Sequence, residues 1–302
     1  MADYLEGDYE RVVRNVDGSR FLPGTTIEIL TEINSNQPPE HVLFDFDGTL
    51  SLIREGWPEV MVPMMVEILE ATGTDESAEQ LRDLTHGFVM QLTGKQTIYQ
   101  MMRLVEEVEK RGGHPKDPLD YKEMYHDRLM IRITSRREHL RAGDVPPQDM
   151  LVPGTFELLE ALRDRGVKMY LASGTDEAYV REEVTLLQLD PYFGEHIYGA
   201  LDDYKSFSKA MVIQNILAKN RVEGERLLGF GDGYVEIQNV KAVGGTAVAV
   251  ASDETDRSGK PDPWKRDRLI GVDADVVIPD FQDHAPLVAH LWGDEPEESD
   301  AV

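Results

Sequence analysis

The sequence predicts an α/β protein: a doubly wound parallel sheet with helices on both faces, interrupted after its first strand by an all-helical insert. Two observations carry that expectation. Apolar runs of four to six residues recur along the chain and alternate with amphipathic stretches of helix length, the pattern of parallel strands joined by helical crossovers. Over residues 55–148 the alternation stops and only helical periodicity remains. A length of 302 residues suits such a core together with a second unit.

Residues 1–40 form an N-terminal extension. Positions 16–26 are rich in Gly, Pro, Ser and Thr and read as turns, and 22–33 has room for one short strand or helix. His41-Val42-Leu43-Phe44-Asp45-Phe46 is the first buried strand, bounded by Pro38-Pro39 and Gly48. Helical patterns then cover 60–72, 77–92, 97–111 and 118–141, punctuated by Gly73, Gly94, Gly112-Gly113 and Gly143. This block, 55–148, is a second domain or lid. The core, 41–54 plus 149–292, resumes with a helix over 155–165 that puts Phe156, Leu159 and Leu162 on one face and stops at Gly166. Strands are expected at 167–172, 196–200, 226–230, 246–251 and 275–278, with helices over 208–218 and 234–242. Residues 293–302 hold five acids and no base and read as a disordered acidic tail.

Composition narrows the function. Asp and Glu number 57 against 31 Lys and Arg, a net charge of −26. Proteins that hold nucleic acid on a basic face, or a membrane surface through a polybasic patch, need the opposite balance. A phosphorylated small molecule stays possible, because a site can be locally positive inside an acidic envelope. There is no cysteine, so disulfides, thiolate zinc sites and Cys nucleophiles are excluded, which suits the cytoplasm. No apolar run reaches membrane-spanning length, and the opening MADYLEGDYE lacks a basic-then-apolar leader.

The strongest chemical signal is Asp45-Phe46-Asp47-Gly48-Thr49-Leu50. An ionised carboxylate at the end of a buried strand loses hydration, so two of them need a compensating cation or a task. Strand carboxyl ends are where open α/β sheets bind ligands. An ordinary turn explains an isolated Asp-Gly equally well. Other strand ends weigh against that reading. The strand over 167–172 runs into Ser173-Gly174-Thr175 and a helix, which fits an anion site as well as a plain N-cap. The strand over 226–230 runs into Gly231-Asp232-Gly233, with Glu236 four residues past Asp232, which suits a hard divalent cation as well as another turn. Lys209 opens the preceding helix, and Lys205 lies on a similar face. An acidic pair, a hydroxyl, a lysine and a second acidic pair in this order are more than turns supply by chance.

That order resembles the haloacid dehalogenase superfamily. DFDGTL matches its first motif, VPGTFELLEALRDRG followed by LASGT its second, and GFGDGYVEI its fourth, with Glu236 where Asp is commoner. The resemblance covers 41–54 and about 149–290. It implies a Rossmann-like core with a helical cap. It further implies Asp45 as the nucleophile that accepts a phosphoryl group and Asp47 as general acid, then base. Thr49, Ser173, Gly174 and Lys209 would surround phosphate, and Mg²⁺ would sit on Asp45, the Asp47 backbone carbonyl, Asp232 and Glu236. Asp47 favours phosphatases and phosphomutases over the dehalogenase and ion-pump branches of the family. A cap favours a small phosphorylated metabolite over a protein substrate.

Thr93-Gly94-Lys95-Gln96-Thr97 is a polar turn between two cap helices. Either it dips into the site, so that Lys95 meets an anionic or polyol part of the substrate, or it is a solvated interhelical loop. Arg128, Arg132 and Arg136 share one helix face, as an anion-binding stripe or as a surface paired with neighbouring acids. His86, His114, His126 and His139 lack metal-ligand spacing. Arg54 and Trp57 either line the mouth of the site or pack the hinge. The expected function is a Mg²⁺-dependent phosphatase, with a sugar phosphomutase or a non-enzymatic binding protein as the alternatives.

Overall fold

The computed structural model describes residues 7–13, 18–34 and 36–294. The opening six residues, 16–17 of the expected turn stretch and nearly all of the expected acidic tail lie outside the described residues. Eight strands form one sheet: β1 (Arg20–Phe21), β2 (Glu28–Ile29), β3 (His41–Phe44), β4 (Lys168–Asp176), β5 (Ile197–Ala200), β6 (Leu227–Gly231), β7 (Thr246–Val250) and β8 (Val276–Ile278). Their spatial order is β1-β2-β8-β7-β6-β3-β4-β5.

The six strands from β8 to β5 are parallel, as expected. The N-terminal extension adds two antiparallel strands to this parallel core, so the sheet as a whole is mixed. Where 22–33 offered one strand or helix, the extension folds as a hairpin whose β2 runs antiparallel to β8, pairing Ile29 with Val276. It covers an edge that would otherwise present unpaired backbone groups. Each of its strands is two residues long, too short for a periodic signal.

Register places the site. Phe44 pairs with Leu171 on one side and Phe230 on the other, and the Phe44 and Phe230 rings stack 4.9 Å apart. Asp45 is therefore level with Ala172 and Gly231, and Asp45, Ser173 and Asp232 lie side by side toward the carboxyl end of the sheet. One apolar layer packs on each face of the sheet, and its burial is the main source of stability. Strand β4 continues past Ala172 to Asp176, with a register irregularity against β5. Ser173, Gly174 and Thr175 thus belong to an extended strand end, not to the first turn of a helix.

The insert is four helices: α1 (Pro58–Glu70), α2 (Ala78–Gln91), α3 (Thr97–Lys110) and α4 (Pro118–Ala142). Local chemistry sets their ends. Ser77 and Gln80 form a reciprocal capping box at the start of α2, and Gly143 ends α4 in the left-handed region at φ 75°. Helix α4 buries Tyr121, Tyr125, Leu129, Ile133 and Leu140 on one stripe. The arginines outside that stripe pair with acids: Arg128 with Glu67 at 2.8 Å, Arg132 with Glu59 and Arg136 with Glu55 at 2.5 Å each. The stripe is an ion-paired surface. The remaining helices are α5 (Thr155–Asp164), α6 (Glu177–Leu186), α7 (Asp190–Phe193), α8 (Lys209–Asn220), α9 (Tyr234–Ala242), α10 (Pro263–Gly271) and α11 (His284–Trp292). No helix among the described residues is long and apolar enough to cross a membrane.

Candidate active site

At the level strand ends, under the insert, lies a cleft of about 100 Å³ lined by Asp45, Asp47, Ser173, Gly174, Lys209 and Asp232 from the core and by Lys95, Gln100 and Tyr125 from the insert. Asp45 is buried, and its backbone N–H donates to the Phe230 carbonyl, which fixes it at the end of β3. Lys209, the first residue of α8, is buried with its ammonium 2.9 Å from Asp45 Oδ1 and also paired with Glu236. The choice between two lysines is thereby made. Lys205 sits in the 3₁₀ turn Tyr204–Ser206 with its ammonium over the Tyr204 ring.

Asp47 stands two residues further on. Thr175 Oγ1 donates to its Oδ2 at 2.8 Å and Ser173 Oγ at 3.3 Å. Its Oδ1 is buried without a hydrogen bond, 3.6 Å from Arg54 Nε. Burial pushes the carboxyl up to about 7; the Arg54 guanidinium opposes that shift, and the charges of Glu183 and Asp45 add to it. Such a group can hold or release a proton near neutrality. Arg54 is buried and bound bidentately by the fully buried Glu183 of α6, at 3.1 and 2.8 Å. It lines the cleft, so the open choice for Arg54 resolves toward the site. Thr175 ends the LASGT stretch but carries no role of its own there, and Glu183 stands in no distinctive motif.

Thr49 does not surround the cleft. It is fully buried, accepts a hydrogen bond from the Asp232 backbone N–H at 2.9 Å and donates to Asp232 Oδ1 at 3.4 Å. Its hydroxyl positions the Asp232 loop and is not presented to a phosphate. Gly48 has φ 75°, and a Cβ there would stand 2.3 Å from Asp232 Oδ2, so the turn after β3 needs glycine on two counts. Asp232 carries a further partner that no motif marks: Lys265 of α10, buried, with Nζ 2.8 Å from Asp232 Oδ2, 2.6 Å from Glu254 and 3.0 Å from Ser252 Oγ. Lys265 and Glu254 come from elements remote in sequence, and no spacing marks them. Burial raises Asp232 to about 6, with Lys265 opposing and Asp45 and Glu254 adding.

Among the described residues no group of three or more Asp, Glu, His or Cys side chains forms a ready metal cage. Mg²⁺ does not require one, because it is held through one or two carboxylates and keeps several waters. The donors here fit that mode. Asp45, Asp232 and Glu254 crowd like charge into one cleft, and both Glu236 carboxylate oxygens are buried without a hydrogen bond, with Lys209 as ion-pair partner. The insert's polar turn does reach the core: a Cβ on Gly174 would stand 2.9 Å from the Lys95 carbonyl. Trp57 also lines the cleft. His126 stacks on Tyr179 at 4.0 Å, a packing role.

Fold and site together define a capped, doubly wound α/β protein with a carboxylate–lysine cleft at its strand ends. The family model for haloacid dehalogenase-like hydrolases matches residues 39–244. The chain belongs to that family. Solved structures agree at the level of fold. A β-phosphoglucomutase from Clostridium difficile superposes with TM-score 0.55 at 13% identity, covering 84% of this chain and 97% of that one. A conserved haloacid dehalogenase-like protein of unknown function from Agrobacterium tumefaciens gives 0.54 at 17%, covering 83% and 98%. A predicted phosphoglycolate phosphatase from Haemophilus somnus gives 0.51 at 16%, covering 82% and 97%. No curated protein matches the chain.

Proposed function

We propose that the protein is a Mg²⁺-dependent phosphatase that hydrolyses a small phosphorylated metabolite of sugar-phosphate type through a phosphoryl group carried on Asp45. The observation that carries this reading is the pairing of Asp45 with Lys209 beside an Asp47 held by two hydroxyls, all in one small cleft under the insert. Asp45 Oδ attacks the phosphorus and the ester oxygen leaves, which splits the hydrolysis into two steps. Lys209 offsets repulsion between the carboxylate and the incoming phosphoryl oxygens. Asp47 gives its proton to the leaving oxygen, then takes one from the water that attacks the phosphoryl-aspartate. Ser173 and Gly174 line the same cleft, which supports a role in holding the phosphoryl oxygens.

Asp45, the Asp47 carbonyl and Asp232 are the groups that would hold Mg²⁺, with Glu236 supporting them. When bound, the ion supplies positive charge to the phosphoryl oxygens. The position of the cleft between the core and the insert supports a small substrate over a macromolecular one. The net charge of −26 supports a role away from nucleic acid, and the absence of cysteine supports a cytoplasmic location.

A panel of phosphorylated sugars, nucleotides and short phosphorylated acids, assayed with Mg²⁺ and with EDTA, tests the reading. Release of inorganic phosphate that needs Mg²⁺ and falls about 10⁴-fold in Asp45→Asn is the expected result. Conversion of a hexose 1-phosphate to its isomer without phosphate release would make the protein a phosphomutase. Inertness toward every ester would leave a binding protein.

A further inference from the structure

Among the described residues, the cations that line the cleft each have a carboxylate: Arg54 has Glu183, Lys95 has the exposed Asp8, and Lys209 has Asp45 and Glu236. A fourth cation, Lys265, lines the wider groove that shares Trp57, Asp232 and Glu254 with the cleft. Its ammonium draws in three oxygens from two loops: Asp232 Oδ2 at 2.8 Å, Glu254 Oε1 at 2.6 Å and Ser252 Oγ at 3.0 Å. A second measure finds the same convergence. A Cβ on Gly48 would stand 2.3 Å from Asp232 Oδ2 and 3.0 Å from Glu254 Oε1. Both carboxylates therefore turn toward one spot, beside the turn that carries the Asp47 carbonyl. Ser252 Oγ also donates to the Gly48 carbonyl at 2.5 Å.

Lys265 stands against its local preference. It is the third residue of α10, and the first turn of a helix favours acids over cations. The Asp262 side chain, which accepts from the Lys265 N–H at 2.7 Å, caps the helix and fixes where the lysine leaves it. A buried ammonium loses hydration, and here only the surrounding carboxylates offset that loss. Asp232 has a separate anchor, because its backbone N–H donates to Thr49 Oγ1 at 2.9 Å. What Lys265 adds is charge.

We propose that Lys265 is a tethered counter-cation against which a divalent ion competes, and that Glu254 is a further carboxylate of that ion's site. The proposal rests on the reading of Asp232 as a metal-holding group and deepens it. Without the ion, the ammonium neutralises Asp232 and Glu254 and keeps the crowded carboxylates compatible with the fold. The balance between Lys265 and Glu254 then sets the Mg²⁺ concentration at which the site fills. Both residues lie beyond the stretch that the family model matches, 39–244.

The test is calorimetric titration of Mg²⁺ into the metal-free full chain, with no ester present. Lys265→Gln removes the charge and keeps a hydrogen-bonding side chain. It should tighten Mg²⁺ binding about tenfold, the worth of one unit charge near a divalent ion even at the dielectric of water. Glu254→Gln should weaken binding about 10- to 100-fold, as loss of a group supporting a metal site does. The double variant should return toward wild type. Opposite signs are the signature; weakening by both variants, or no change in either, overturns the proposal. Lys219→Gln, ten residues along α8 from Lys209, changes the net charge equally and should leave Kd unchanged; equal tightening there would assign the effect to net charge and overturn the proposal. If Lys265→Gln does not fold, Glu254→Gln decides alone, and an unchanged Kd overturns the assignment. If wild type binds no Mg²⁺, the Mg²⁺-dependent reading has failed for the native charge balance. Lys265→Gln then decides, since the site freed of its competitor should take up the ion, and silence from both chains overturns the proposal.

Discussion

Behind Asp47 stands a buried pair, Arg54 and Glu183, that performs no chemistry of its own. Glu183 is fully buried and grips Arg54 at two points, and Arg54 Nε faces Asp47 Oδ1. Removing one partner of a buried ion pair leaves the other uncompensated. Glu183→Gln should therefore lower unfolding free energy by about 3–5 kcal/mol, measured by urea denaturation. Arg54→Met combined with Glu183→Leu should recover most of that loss, because apolar replacement of a buried pair is often neutral. If the pair positions Asp47, the double variant stays slow even though it is stable, with kcat reduced more than KM is raised; restored kcat would make the pair purely structural. Thr175→Val removes the shortest hydrogen bond to Asp47 and tests the same positioning from the other side. Asp47→Asn is expected to cost about 10²- to 10⁴-fold in kcat, the usual worth of a general acid. At this scale the sequence shows which carboxylates leave the strand ends, because Asp45 and Asp232 each close an apolar run and Asp47 lies two residues past Asp45. It does not show what holds them. Glu183 and Lys265 arrive from α6 and α10, more than 30 residues from the carboxylates they serve or more than 100, and no local pattern encodes that approach.

Elements explain why some of these partners were hidden. The six parallel strands and the four helices of the insert are legible because each is long enough to repeat its own period. The β1–β2 hairpin is not: two residues per strand carry no alternation, and only the waiting edge of β8 makes them strands. Yet the hairpin is bonded into the core by charge. Glu28 of β2 is buried and accepts hydrogen bonds from Arg266 of α10 at 2.7 and 2.6 Å. Burial alone would raise its carboxyl; hydrogen bonds from Arg266 and Ser19 outweigh burial and hold it below the ordinary glutamate value. A depressed folded-state pKa stabilises the fold above the unfolded value, about 4.3, and the stabilisation is lost as pH falls through the lower folded value. Glu28→Gln should accordingly be less stable than wild type at pH 7, with the gap narrowing as pH falls below the unfolded value in parallel denaturation curves. A gap that does not narrow on acidification would assign the loss to packing.

The whole molecule carries a net charge of −26, and the cleft concentrates that surplus. Asp45, Asp232 and Glu254 act on one another as like charges, and Lys265 and Lys209 offset them only in part. If the proposed Mg²⁺ site exists, it is present in the folded chain and lost on unfolding, so the cation should stabilise by mass action. At a hundredfold excess of Mg²⁺ over its Kd the gain is about 2.7 kcal/mol, which appears in thermal unfolding as a rise of several degrees. EDTA should abolish the rise. Asp232→Asn should abolish it too, whereas Asp8→Asn, which changes the charge by the same amount outside the metal-holding set, should leave it intact. If Asp8→Asn removed the increment equally, the effect would belong to general relief of negative charge, which 100 mM NaCl would then reproduce through screening. The comparison separates a site from a field, and it does so without requiring that the substrate be known.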